Sequence, residues 1–113
     1  MIEAHQLDRV FTALADAGRR GMVERLSMGP ATVKQLAEPQ GMRLPSALKH
    51  LKVLEDGGIV ASRKVGRTRT YTIEPTALSG IDDWVRQRQA AMNQAFDRLV
   101  QAMKDFPEEG VND

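Results

Sequence analysis

Apolar residues recur at Leu7, Val10, Phe11 and Leu14, a spacing that gathers them on one side of a helix. A second helix is predicted after Asp16, whose carboxylate can accept hydrogen bonds from the first turn. Val23 and Leu26 form its apolar face, and Met28-Gly29-Pro30 ends it. Thr32 is the next candidate N-cap, opening a short helix through Leu36 and Ala37. Glu38-Pro39-Gln40-Gly41 is then a turn, because a residue before proline is pushed out of the helical region. A fourth helix is predicted over 44–56. Pro45 is tolerated in its first turn, where an N–H would have no intrahelical partner, and Gly57-Gly58 supplies the stop.

On a wheel of that fourth helix, Ala47, Leu48, Leu51 and Leu54 gather toward the core. Pro45, Ser46, Lys49 and Lys52 face away, with His50 flanking them and Val53 at the edge. The period then changes. Runs at 59–64 and 68–73 around Val65-Gly66-Arg67 predict a β-hairpin (59–73) with Gly66 in its turn and Tyr71 and Ile73 packed beneath. After Pro75, one long helix is predicted over 78–106, with a stripe through Ile81, Trp84, Val85, Met92, Phe96, Leu99 and Met103. Residues 80–105 alone would span roughly 39 Å at 1.5 Å per residue. That exceeds what a small core can cover, so part of the stripe is expected to meet another molecule.

The order helix, helix, helix, turn, helix, hairpin, long helix predicts a mostly α fold with a small β-hairpin, the winged helix-turn-helix. A chain of 113 residues fits one such domain, 1–113, ending in an acidic tail at 107–113 that is expected to fray. The chain has no cysteine, which excludes disulfides, thiolate metal sites and a cysteine nucleophile. Apolar runs fall short of a membrane span, and no basic-then-apolar leader opens the chain. A cytoplasmic protein without a membrane partner is expected.

Charge changes the picture more. The net charge is only +1, yet residues 43–69 carry seven basic and two acidic side chains. Residues 1–42 balance at five of each, and 70–113 carry four basic against eight acidic. A basic middle in an otherwise balanced chain is a surface for a polyanion. The candidate DNA-binding residues are Arg43, Pro45, Ser46, Lys49, His50 and Lys52 on the fourth helix and Arg63, Lys64, Arg67 and Arg69 on the hairpin. Lys49 and Lys52 alone would read as a solvated helix face, and a lone His50 as a structural or phosphate-contacting histidine. Together with a basic hairpin they point to double-stranded DNA. Asp82-Asp83 does not form a carboxylate pair, because adjacent helical residues diverge. No nucleophile–base pair, phosphate-cradling loop or metal-ligand cluster is visible, so no catalytic residue, metal or other cofactor is expected. A winged helix that binds protein or RNA without operator specificity remains the alternative.

The segment Pro45-Ser46-Ala47-Leu48-Lys49-His50-Leu51-Lys52-Val53-Leu54, followed by Gly58-Ile59-Val60, resembles the recognition-helix signature of ArsR-type winged-helix repressors. Arg63-Lys64-Val65-Gly66-Arg67-Thr68-Arg69-Thr70-Tyr71 resembles their wing, and a looser likeness covers 5–104. The resemblance implies a homodimeric, sequence-specific transcriptional repressor that reads a palindromic operator. Its dimerisation helices would be 1–15 and 78–106, with Leu7, Phe11, Trp84, Met92, Phe96, Leu99 and Met103 at the interface. Metal-sensing members place a cysteine pair on the third helix or Asp and His ligands on the last. Here the third helix has no thiol and the last has Asp82, Asp83 and Asp97 but no histidine, so the chain resembles the members without metal-sensing ligands. A further departure is Arg43, which stands where such proteins often place a Ser or Thr cap and opposes the helix dipole. The resemblance leaves open a small-molecule effector, not identified by any residue.

Overall fold

The computed structural model describes residues 4–106. Its elements are α1 (Ala4–Leu14), α2 (Ala17–Leu26), β1 (Ala31–Thr32), α3 (Val33–Ala37), α4 (Leu44–Asp56), β2 (Val60–Val65), β3 (Thr68–Ile73) and α5 (Ser79–Asp105). The expected tail at 107–113 lies outside the described residues. The chain forms two units, one through Ile81 and one from Asp82 onward.

In the first unit the caps set the helix starts. Asp16 accepts the Arg19 N–H at 3.0 Å. Thr32 accepts the Gln35 N–H at 3.3 Å, while the Gln35 side chain accepts the Thr32 N–H at 2.9 Å. Two orphan donors at the head of a short helix are thereby satisfied reciprocally. A single 3₁₀ turn, Glu38–Gln40, then redirects the chain into α4. The Gln40 amide donates to Gly18 O at 3.0 Å. A Cβ on Gly18 would stand 2.5 Å from Met42 Cε, so any larger residue there would displace the Met42 side chain that packs on α2.

The sheet differs from the expected hairpin by one strand. Its order is β1-β3-β2, with Ala31 opposite Tyr71 and Thr32 opposite Thr70. A two-residue strand has no periodicity to betray it in the sequence. The hairpin itself closes on Gly66-Arg67, one residue tighter than expected, because Val65 pairs with Thr68. Gly66 has φ 62°, the positive value that the first position of a two-residue hairpin turn demands.

The core joins Val10 and Ala13 of α1, Met22, Val23 and Leu26 of α2, Leu36 and Ala37 of α3, and Ala47, Leu51 and Leu54 of α4 to Ile59, Val60 and Tyr71. Burial pushes the Tyr71 phenol above its usual pKa, with the Glu55 charge adding to the effect. Leu48, expected in this core, is instead 47 % exposed. It lies about 60° further round the helix than Leu51, which takes it past the edge of the packed face. In the second unit, every side chain of 82–106 is exposed. Its helix is laced by i,i+4 contacts, including Arg86–Asp82 at 2.9 Å and the Arg88 guanidinium 5.2 Å above the Trp84 ring.

Candidate nucleic-acid interface

α4 begins without a side-chain cap. Arg43 occupies the N-cap position with φ −77° and ψ 153°, and no side chain accepts the first-turn N–H groups. The positive end of the helix dipole and a guanidinium thus share one exposed corner. Along the outward face, Arg43, Leu44, Pro45, Ser46, Leu48, Lys49 and Lys52 are all exposed. The face is therefore less polar than the sequence suggests, since two leucines flank its Ser and Lys residues. Leu48 is the member of this face that sequence reasoning misses, and a stricter wheel angle is the signal for it. The Lys52 ammonium lies 3.5 Å from Asp56, an exposed i,i+4 pair that leaves the lysine free to exchange partners.

His50 is placed differently from its neighbours. It is partly buried, with Nδ1 3.2 Å from Arg19 Nη1 and 3.8 Å from Asp16 Oδ2. The Asp16 carboxyl is held below its usual pKa, first by the Arg19 backbone N–H and further by His50 and the Arg19 charge.

The four hairpin cations do not form one cluster. Lys64 sits directly opposite Arg69, and Arg63 opposite Thr70. Strand alternation puts Lys64 and Arg69 on the face that carries buried Val60 and Tyr71, the face that packs on the helices, and Arg63 on the other. Arg67 lies in the turn. Two like charges directly opposed destabilise a strand pair. Part of that repulsion is relieved as Arg69 Nη1 donates to Ser62 Oγ at 2.8 Å.

Of the expected interface residues, Leu7 is partly buried and Phe11 exposed on α1, while Trp84, Met92, Phe96, Leu99 and Met103 are exposed on α5. An open cleft of about 230 Å³ lies between α1 and the end of α4, lined by Asp8, Arg9, Thr12, Val53, Asp56 and Gly57. It falls short of the roughly 300–1,000 Å³ usual for ligand pockets. Among the described residues, no three His, Asp or Glu side chains converge to hold a metal ion. No helix among them is long and apolar enough to cross a membrane.

A helix-turn-helix domain family matches residues 11–63, which hold α2 to α4 and the start of the wing. The crystal structure of an ArsR family transcriptional regulator, RHA00566, is 42% identical, with a TM-score of 0.77; the match covers 81% of this chain and 95% of that one. The chain belongs to the ArsR family of transcriptional regulators. Another relative is the HTH-type transcriptional regulator Rv2034 of Mycobacterium tuberculosis, 42% identical over 66% of this chain and 69% of its own length. The homodimeric winged helix-turn-helix DNA-binding domain Mb0332 of Mycobacterium bovis is 28% identical, with a TM-score of 0.60 over 83% of this chain and 84% of that one. Within an ArsR-family chain, α3, the 3₁₀ turn and α4 are the helix-turn-helix, and the β2–β3 hairpin is the wing. These relatives are described as regulators of transcription.

Proposed function

We propose that this ArsR-family regulator is a homodimeric repressor that binds a palindromic operator, with α4 in the major groove and the wing along the flanking backbone. The observation that carries this reading is the open, uncapped and basic outer face of α4, joined by a basic wing pair on the helix-facing side of the sheet. Arg43 and the first-turn N–H groups of α4 take a phosphate. Lys49 and Ser46 reach base edges, Pro45 lets the helix lie close, and Leu48 offers an apolar contact to a thymine methyl. Lys52, Lys64, Arg67 and Arg69 supply phosphate contacts that position the domain without reading sequence.

Dimerisation follows from the same physics. One groove-reading helix cannot supply the roughly 10³-fold or greater preference of specific sites over random DNA. Two copies held about 34 Å apart can do so on a palindrome. The exposed stripe of Trp84, Met92, Phe96, Leu99 and Met103 on α5 would hold them, and within the first unit Leu7 and Phe11 of α1 are the further candidates. Repression then needs only occupancy of DNA that the polymerase requires. Release by metal is not part of this reading, because the third helix carries no thiol and the last no histidine.

The test is a gel-shift competition at fixed salt between DNA upstream of the protein's own gene and random DNA. A preference of at least about 10³-fold for one palindromic segment is expected. Equal retardation of random DNA and of RNA would instead make it a non-specific nucleic-acid or protein-binding module.

A further inference from the structure

Among the titratable side chains of α4, His50 alone is partly buried; Lys49, Lys52, Glu55 and Asp56 are exposed. A guanidinium only donates hydrogen bonds. With Arg19 Nη1 at 3.2 Å, Nδ1 of His50 can pair with it only as an acceptor, which requires the tautomer with its hydrogen on Nε2. The same guanidinium donates through Nε to Ala13 O at 2.7 Å and through Nη2 to Thr12 O at 3.0 Å. Arg19 thus joins three elements: the last carbonyls of α1, its own helix α2, and α4 through His50.

Protonation would set N–H against N–H and charge against charge at that contact. The alternative partner is Asp16, whose Oδ2 lies 3.8 Å from Nδ1, beyond hydrogen-bonding distance. Reaching it means leaving Arg19. The other charged groups on the elements around α4 are engaged elsewhere or point outward. Asp8 and Arg9 of α1 line the cleft at the far end of α4, Lys34 of α3 pairs with Glu38, and Arg63 and Lys64 of β2 are exposed. On α2, Arg20 and Arg25 donate to Leu14 O and Gly29 O and Glu24 is exposed, while Arg19 and Asp16 are the charged groups in contact with the ring.

We propose that His50 is the positioning residue of the recognition helix. Neutral, it latches α4 to Arg19 in the orientation that reads sequence; protonated, it lets go, and the preference for operator over random DNA falls. This rests on α4 being the groove-reading helix. A phosphate contact by His50 predicts the opposite sign, since an imidazolium would tighten binding to all DNA.

The experiment is competition anisotropy with the full chain, comparing upstream and random duplexes at fixed salt from pH 8 to 5.5, the range in which imidazoles titrate. The wild-type preference should fall about tenfold, the worth of one charge-assisted hydrogen bond. His50→Gln, whose Oε1 can accept from Arg19 without titrating, should hold the pH 8 preference across the range. His50→Leu should be low throughout, and His5→Gln should follow the wild type. Should His50→Gln not fold, long-range ¹H–¹⁵N spectra of the wild type decide: an Nε2–H ring at pH 8 supports the latch, and an Nδ1–H ring sinks it. A wild-type preference that ignores pH, or a His50→Gln profile as steep as wild type, overturns the latch alone. Tighter binding of both duplexes at low pH, with a salt slope steeper by about 1, does the same. No preference at any pH would bring down the groove assignment and the latch with it.

Discussion

Arg67 and Arg69 flank Thr68, the first residue of β3 beside the hairpin turn, and in the proposed complex they contact phosphates. Replacing either by alanine should weaken binding to every sequence and reduce the log–log salt slope by about 1 for each phosphate that the arginine had neutralised. Lys49→Ala should instead narrow the gap between operator and random DNA. Titrations at several salt concentrations separate the two, and wing variants with unchanged affinity and slope would show that the hairpin misses the duplex. Asp16 makes a prediction about acid. Its folded pKa lies below the ordinary 3.8, so the stabilisation from its cap is present above that value and fades as pH falls through the folded pKa. Asp16→Asn keeps an acceptor at the cap but does not titrate. The melting-temperature gap between wild type and Asp16→Asn should therefore narrow only once pH falls below 3.8, and a gap that stays constant down to the acid limit of folding would remove the carboxylate from the account.

At the scale of the element, α3 and α4 are capped in opposite ways. α3 has a complete capping box although it is only five residues long, whereas α4 has thirteen residues and an arginine at its N-cap. A helix can forgo a cap where an anion is to take that place. Arg43→Ser should stabilise the free protein by about 0.5–2 kcal/mol while weakening DNA binding. Thermal melts and anisotropy on the same sample check both signs. Gain of stability with unchanged affinity would mean that the uncapped end has no ligand.

For the whole molecule, the surface to account for is α5. Leu99→Asp places a charge at the centre of the stripe, costly in a desolvated interface and tolerable on a free surface. That variant should sediment as a monomer, keep its helical circular dichroism, and retain only weak, salt-sensitive DNA binding. A monomeric wild type that binds its operator tightly would contradict the dimer. Stoichiometric Zn, Cd, Ni or arsenite should leave operator affinity unchanged. A hundredfold loss reversed by a chelator would reveal a ligand set that the described residues do not show.

Much of this chain was legible before it folded. The helix starts at Asp16 and Thr32, the stops at Gly57-Gly58 and the hairpin at Gly66 depend on local backbone chemistry, so a few adjacent residues suffice to specify them. The concentration of cations in 43–69 is likewise a property of the sequence alone. Tertiary structure decided what depends on neighbours distant in the chain. β1 exists because β3 offers Tyr71 and Thr70 to Ala31 and Thr32, not because two residues favour a strand. Leu48 is exposed because the packed face of α4 ends at Leu51, a limit set by the elements against it. Lys64 and Arg69 separate from Arg63 through strand register, which a count of charges cannot express. His50 meets Arg19 across 31 positions of sequence, a contact invisible to any local pattern.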